Sequence, residues 1–296
     1  MPPDRRTRFA PSPTGLLHLG HAFSALTGAA RARETGGQFL LRIEDIDLPR
    51  CRPEFEAAIF EDLRWLGLSW PEPVMRQSER RAAYDAALTR LAAMGLCYPC
   101  RCTRAEIRAA LSAPQEGDGV HPPYPGTCRS RSMADAGPGD AIRLNMALAL
   151  ARLGARAPGF DETGPLHPGH HPVTPEALLA DPGDVVLARR DIGISYHLAV
   201  VVDDAAQGIT EVVRGADLFG ATGVQVLLQA LLGLPQPVYH HHGLIRDASG
   251  RRLAKRDDSR AIRAFRAAGE SPAQVLARIG IAALPDTGPP APAVVP

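Results

Sequence analysis

The sequence predicts an α/β protein built on a parallel sheet. Three observations point there: a strand-loop-helix-strand opening, a later return of buried-strand runs, and a looser glycine- and proline-rich stretch between them. Residues 7–10 read as a short strand interrupted by Pro11-Ser12-Pro13, and a helix runs from about Gly20 to Gly36-Gly37. Residues 38–43 read as a second strand, so the opening is a β-loop-α-β unit of the nucleotide-binding kind. Pro53 then suits a first helical turn, and Phe55, Ile59, Leu63 and Leu66 form an apolar stripe that stops at Gly67. Ser78 is placed to cap the next helix, which runs towards Gly95. From Cys97 to Asp184 the pattern loosens into clusters such as Ala136-Gly137-Pro138-Gly139, which predicts an insertion with long loops. Residues 197–202 read as a buried strand ending in Asp203-Asp204 and residues 209–213 as another, so the sheet resumes. Residues 285–296 are too rich in proline to carry structure.

Bulk composition narrows the class. A chain of 296 residues with 45% hydrophobic content has room for roughly two domains of ~150 residues and a sizeable core. No uninterrupted apolar stretch reaches the ~18 residues of a membrane-spanning helix, and the opening Met1-Pro2-Pro3-Asp4-Arg5-Arg6 lacks the apolar segment of a secretory leader. A cytoplasmic protein without a membrane partner is the expectation. The 33 basic and 32 acidic residues nearly cancel, so contact with nucleic acid must come from local patches. Five cysteines, at 51, 97, 100, 102 and 128, argue against a disulfide framework in such a chain and leave metal binding or ordinary burial. All but one of the basic residues are arginine, the exception being Lys255.

Two histidines, His18 and His21, flank Gly20 where a strand and loop hand over to a helix. Backbone amides at a helix start carry partial positive charge, and imidazoles donate hydrogen bonds to phosphate oxygens as charge builds there. Glycine at position 20 allows close backbone approach. The same two histidines also fit plain helix capping, and the pattern alone does not separate the readings.

The wider string Arg8-Phe9-Ala10-Pro11-Ser12-Pro13-Thr14-Gly15, followed by His18-Leu19-Gly20-His21 and Arg42-Ile43-Glu44-Asp45-Ile46-Asp47, closely resembles the glutamyl-tRNA synthetase family. Further matches lie at Tyr196 to Asp204, at Val213-Arg214-Gly215-Ala216-Asp217-Leu218 and at Arg252-Leu253-Ala254-Lys255-Arg256. In order and spacing they look like a class I synthetase catalytic core, and the short chain most resembles the glutamyl-queuosine tRNA(Asp) synthetase branch. The resemblance implies a Rossmann-type parallel sheet, a zinc-bearing insertion domain and a short helical C-terminal segment. It divides the chain into a first half of the core at 1–96, the insertion at 97–184 and the second half of the core at 185–245. A loop and helical segment at 246–284 and a tail at 285–296 follow.

What the resemblance implies residue by residue is specific. His18, His21 and Lys255 are catalytic, and His18, Gly20, His21, Arg252 and Lys255 bind ATP. Lys255 neutralises phosphate charge while the adenylate forms, a task for a compact, flexible ammonium rather than a planar guanidinium. Arg252 stands where the family usually has lysine and Ala254 where it has serine. Arg8, Ser12, Glu44, Tyr196 and Arg214 line the glutamate site, with Glu44 facing the ammonium and Arg214 and Tyr196 the side-chain carboxylate. Arginine suits carboxylate because its donors form a rigid fork. Mg²⁺ accompanies ATP, bound mainly through phosphates and waters.

Cys100, Cys102 and Cys128 offer three thiolates, which suit one structural Zn²⁺ in tetrahedral coordination. Ligand chemistry alone nominates His121 as the fourth ligand, whereas the family pattern nominates Tyr124. Cys51 and Cys97 are bystanders.

Glutamyl-tRNA synthetases read the anticodon with a separate C-terminal domain, and only residues 257–296 follow the Arg252-Leu253-Ala254-Lys255-Arg256 segment here. The expected reaction is therefore activation of L-glutamate with ATP, without tRNA, and transfer to the queuosine base in the anticodon stem-loop of tRNA(Asp). Arg251, Arg252, Arg256, Arg260, Arg263 and Arg266 are candidate contacts to the RNA backbone. The competing readings are a truncated conventional glutamyl-tRNA synthetase, a nucleotidyltransferase with another substrate, and a catalytically silent RNA-binding paralogue.

Overall fold

The computed structural model describes residues 5–103, 106–107, 124–154, 158–189, 193–245 and 261–281. The chain opens with β1 (Arg6–Phe9), α1 (Leu19–Arg33), β2 (Gln38–Ile43), α2 (Pro53–Trp65), a two-residue β3 (Met75–Arg76) and α3 (Arg81–Ala93). Its middle contributes β4 (Cys97–Cys100), β5 (Ala141–Leu144), α4 (Met146–Leu153), β6 (Gly159–Glu162), β7 (Gly169–Pro172), α5 (Pro175–Ala180), β8 (Val186–Arg189) and β9 (Gly193–Ile194). Then come α6 (Tyr196–Ala206), β10 (Glu211–Gly215), α7 (Thr222–Leu232), β11 (Val238–His242), α8 (Ile262–Ala267) and α9 (Pro272–Arg278).

Strands β1, β2 and β3 pair in parallel, and so do β10, β11 and β6, with β7 antiparallel at the outer edge. The two sheets meet edge to edge at β1 and β10, where the Thr210 amide donates to the Arg6 carbonyl at 3.0 Å and the Arg6 amide to the Thr210 hydroxyl at 2.8 Å. From that junction β1 passes through α1 to one side and β10 passes through α7 to the other. The carboxyl ends of β1 and β10 thus flank a topological switch point, where open α/β sheets form a crevice.

Helix α1 packs close to this sheet because its inward face is small: Ala22, Ala25, Ala29 and Ala32 are buried with Leu26 against Phe39 and Leu41. Thr7 donates to the Gly28 carbonyl at 2.7 Å, tying β1 to the middle of the helix. Burying Leu26 alone contributes about 1.5–3 kcal/mol. Helices α8 and α9 close the same core with Ile262, Val275 and Leu276, and Arg266 pairs with Glu61 and Asp62 on α2.

Strands β4, β5, β8 and β9 form a separate antiparallel sheet. It extends beyond residue 184, and β6, from within the expected insertion, belongs to the parallel sheet. One continuous core runs from Tyr84 on α3 through Leu144 and Phe160 to Val212 and Tyr239, so the antiparallel and parallel parts are packed together.

Two local expectations are corrected. Residues 197–202 lie in helix α6, not in a strand: Leu198, Ala199, Val200 and Val201 are buried in succession, and an apolar run that is buried all round has no period to separate helix from strand. Ser78 does not cap α3. It sits in a 3-10 turn, Gln77–Arg80, and its amide and hydroxyl both donate to Asp45, at 2.8 and 2.6 Å. Among the described residues no helix is long and apolar enough to cross a membrane.

Candidate active site

A cavity of about 510 Å³ opens at the switch point. Its floor is the end of β1 and the turn after it, Arg8 to Ser12; its sides are the start of α1, Glu44 after β2, Tyr196 at the head of α6, and Val213 to Gly215 at the end of β10 with Asp217 and Leu218 beyond it. The structure thus brings together His18, Gly20 and His21 with Arg8, Ser12, Glu44, Tyr196 and Arg214. Arg252, Ala254 and Lys255 lie outside the described residues, as do Arg251, Arg256, Arg260 and His121. The flanks of that stretch are nonetheless at the cavity: Leu244 and Ile245 line it, and Ala261 bridges to His18 while the Ile262 amide donates to the Leu17 carbonyl at 2.8 Å. Arg263 and Arg266 are on α8, where Arg266 is engaged with Glu61 and Asp62.

The two histidines cap α1, and the cap dictates their chemistry. His18 Nδ1 accepts from the Gly20 amide at 3.1 Å and His21 Nδ1 accepts from the His18 amide at 3.2 Å, with the rings stacked 3.8 Å apart. A neutral imidazole has one donor and one acceptor, so with both Nδ1 atoms accepting, Nε2 carries the proton on both rings. Capping thus leaves an Nε2–H on each ring that is able to donate. A Cβ on Gly20 would stand 3.1 Å from His18 Cε1 and 3.2 Å from Nδ1, so the glycine leaves room for the ring.

On the opposite wall is a ladder of buried charge. Arg42, fully buried on β2, donates to Glu44 at 3.0 Å and to Asp204 at 2.6 Å, and Arg8 grips both oxygens of Asp204 at 2.9 and 3.2 Å. Burial opposes the charge on Arg42, but Asp204, Glu44 and Asp203 outweigh it and raise the guanidinium above its usual range. Burial raises the Glu44 carboxyl, with Arg42 pulling the other way. Asp203 is fixed from behind by Gln77, Arg80 and the Tyr84 hydroxyl at 2.9, 2.6 and 2.7 Å.

Arg214 contrasts with Arg8. It donates to His241 Nε2 at 2.9 Å, Gln225 at 2.7 Å, Thr222 at 2.8 Å and, more weakly, the Tyr196 hydroxyl at 3.3 Å. Burial and Arg214 itself push His241 down to about 4, so all four partners are neutral at physiological pH. Arg8 already faces a carboxylate, whereas Arg214 has no carboxylate at hydrogen-bond distance among the described residues and brings its positive charge to the cavity wall. Sequence reasoning missed Arg42, Asp204, Gln225, Thr222, Glu162 and His241. The local signals were an arginine inside the apolar strand Gln38–Ile43 and the acidic pair Asp203-Asp204 closing the apolar run 197–202, and both lie in the motif strings.

Away from this cavity, the sulfurs of Cys100, Cys102 and Cys128 lie within 4.8 Å of one another. The Tyr124 hydroxyl is 3.4 Å from Cys100 Sγ and 3.3 Å from Cys102 Sγ, and it accepts from the Cys128 amide at 3.0 Å. Ligand bonds of about 2.3 Å in a tetrahedron put neighbouring donors ~3.8 Å apart, so this donor set fits zinc with modest contraction or spreading. Burial works against ionising Cys128, but hydrogen bonds from Tyr124 and the Arg101 amide prevail and bring its thiol down to about 7.

Comparison with known proteins gives matches over most of the chain. A family model described as the catalytic domain of class I tRNA synthetases (E and Q) matches residues 5–146 and 171–287. A glutamyl-Q tRNA(Asp) synthetase of Rhodobacter capsulatus is 56% identical over 281 residues, covering 93% of this chain and 99% of the relative. One from Nocardia farcinica is 47% identical, covering 91% of this chain and 82% of the relative. Among solved structures, a glutamate tRNA ligase from Elizabethkingia meningosepticum in complex with its amino acid superposes with a TM-score of 0.67 at 32% identity. That match covers 86% of this chain and 52% of the ligase, so the present chain spans about half its length.

Proposed function

The chain belongs to the class I tRNA synthetase family for glutamate and glutamine, matching its catalytic domain, and from that premise we propose that it activates L-glutamate with ATP and transfers it to the queuosine base of tRNA(Asp). It is an aminoacyl-tRNA-synthetase-type ligase. The observation that carries this reading is the shared cavity: a helix start capped by two histidines, and an arginine whose hydrogen-bond partners among the described residues are all neutral, face the same space.

In the first step an α-carboxylate oxygen of glutamate attacks the α-phosphorus of ATP, forming glutamyl-adenylate and releasing pyrophosphate. The Nε2–H groups of His18 and His21, held at the positive end of α1, donate to phosphate oxygens as negative charge develops. Glu44 takes the substrate ammonium and Arg214 with Tyr196 the side-chain carboxylate, while Arg8 and Ser12 complete the polar wall. Lys255 is six residues from Ala261, which is fixed at His18, and six extended residues span up to ~21 Å. That span is long enough for the Lys255 ammonium to neutralise the leaving pyrophosphate at the helix start, and Arg252 is assigned to ATP with it. Bound with ATP, Mg²⁺ would supply further neutralisation of phosphate charge. In the second step an acceptor hydroxyl attacks the activated carbonyl carbon and AMP leaves.

Cys100, Cys102, Tyr124 and Cys128 would hold one zinc ion whose four protein ligands leave no position for substrate, so its contribution is structural. Among them, Cys100 ends β4 and the others come from loops, so the metal would pin those loops to the antiparallel sheet.

The acceptor is the anticodon stem-loop, because recognition of RNA commonly splays unstacked loop bases into a pocket. The deciding experiment has two parts. Glutamate should support pyrophosphate exchange into ATP without any tRNA, and aspartate and glutamine should not match it. Radiolabelled glutamate should then label tRNA(Asp) that carries queuosine and not tRNA(Asp) that lacks it. Labelling of glutamate tRNA that vanishes when its 3′ end is oxidised would identify a conventional synthetase instead.

A further inference from the structure

Behind Arg214 lies a buried relay that the proposed chemistry does not use directly. His241 on β11 is 1% exposed and Glu162 on β6 is 3% exposed. Arg214 Nε donates to His241 Nε2 at 2.9 Å, and His241 Nδ1 faces Glu162 Oε2. The other Glu162 oxygen accepts the backbone amides of His241, at 2.9 Å, and Gly164. Gly164 is needed for this closeness, since a Cβ there would come within 2.3 Å of the His241 carbonyl and 2.6 Å of Glu162 Oε1.

The hydrogen bonds allow one protonation pattern. A guanidinium only donates, so His241 Nε2 must accept, and the neutral ring then carries its proton on Nδ1. That proton points at a carboxylate. Burial works against Glu162, but the His241 ring and the two amides hold its carboxyl below the usual range. With neutral imidazole between them, Glu162 orients Arg214 without touching it, and among the described residues no carboxylate pairs with Arg214 at contact distance as Asp204 does with Arg8.

We propose that Glu162 and His241 are positioning residues that lock the Arg214 guanidinium for the side-chain carboxylate of glutamate, and so set the preference for glutamate over glutamine. This rests on the reading of Arg214 as part of the glutamate site. Glu162 lies between residues 146 and 171, the stretch that the family model passes over, so this half of the lock is supplied by residues outside the matched segments.

Glu162→Gln tests the lock with almost no change of shape. Its one oxygen must serve the two backbone amides, so its NH₂ group turns to His241 Nδ1. The ring must then accept there and carry its proton on Nε2, N–H against the N–H of Arg214. Pyrophosphate exchange should show the KM for glutamate raised by about 10- to 100-fold, the advantage over glutamine reduced, and the KM for ATP unchanged. Independently of any variant, ¹⁵N NMR of the histidine rings in the wild-type protein should show His241 neutral with its proton on Nδ1. A Glu162→Gln protein with wild-type glutamate KM and selectivity, or a wild-type ring protonated on Nε2, overturns the proposal. A wild-type protein that gives no glutamate-dependent exchange overturns the functional reading instead, and the ring spectrum still decides the lock.

Discussion

Replacing Asp204 with asparagine removes one charge from the buried ladder and little else. In the wild-type protein Asp204 Oδ1 accepts from Arg42 Nη1 at 2.6 Å and Arg8 Nε at 2.9 Å, and Oδ2 accepts from Arg8 Nη2 at 3.2 Å. Asparagine keeps the shape and one acceptor, but it sets an NH₂ group against a guanidinium. Arg8 and Arg42 are then left with Glu44, and with Asp203 at 4.0 Å from Arg42, as counter-charges. Breaking a buried pair in this way costs about 3–5 kcal/mol. At about 2–4 °C per kcal/mol for chains of this order, the melting temperature falls by ~6–20 °C.

The assay is urea unfolding followed by circular dichroism, with a lower midpoint and an unchanged slope. Its pH dependence supplies a second check. Burial disfavours the Asp204 carboxylate, but Arg8 and Arg42 outweigh it and hold the carboxyl below its ordinary 3.8. A carboxyl depressed on folding stabilises the protein above its unfolded value and loses that effect as pH falls through the folded value. The gap between wild type and Asp204→Asn should therefore hold from pH 7 down to about 4 and close only below it. A loss of less than about 1 kcal/mol at pH 7, within the range of ordinary substitutions, would refute the ladder as a stabilising unit.

Three further outcomes are expected. Lys255→Ala should lose about 100-fold in glutamate-dependent exchange with no change in melting temperature, since charge contacts made in the transition state are worth about 3 kcal/mol; a loss under about threefold sinks that role. Gly20→Ala should raise the KM for ATP by about tenfold, because the new Cβ at 3.1 Å displaces the His18 ring, and an unchanged KM counts against the helix start as the phosphate site. Purified protein should hold one zinc per chain, and Cys128→Ser should weaken its retention against a chelator; metal analysis under reducing conditions that finds none removes the zinc centre.

Much of the fold was legible because local periodicity and tertiary role agreed. The strand Gln38–Ile43 falls at the expected residues, and the Pro53 start and Gly67 stop bracket α2. The reading failed where burial erased the pattern, as in α6, where nearly every residue from Leu198 to Asp204 is inside. It also failed where a side chain had a stronger partner than the helix end next to it, as Ser78 has in Asp45. The cavity residues named in advance are gathered in one place, because their motif strings sit at strand ends and helix starts. What holds them was invisible: Arg8 and Asp204 are 196 positions apart, and Glu162 and His241 are 79 apart. No pattern within a window of sequence links such pairs. The boundary of the antiparallel sheet was hidden for a similar reason, since β6 finds its neighbour β11 about eighty residues further on.

The edge-to-edge junction of β1 with β10 also sets a schedule for synthesis. Arg8 and Arg42 leave the ribosome long before Asp204, the carboxylate they share, and at ~5–20 residues per second the 196 positions after Arg8 take about ten to forty seconds. For that interval the strand pair β1–β2 carries two cations destined for the interior without the anion that makes their burial tolerable. Docking of β1 onto β10 then has to bring in the counter-charge together with the sheet edge, a contact between distant parts of the chain of the kind that slows folding. The cavity exists only from that event onward, so a nascent chain that stops short of α6 has neither a closed core nor the space proposed for the amino acid.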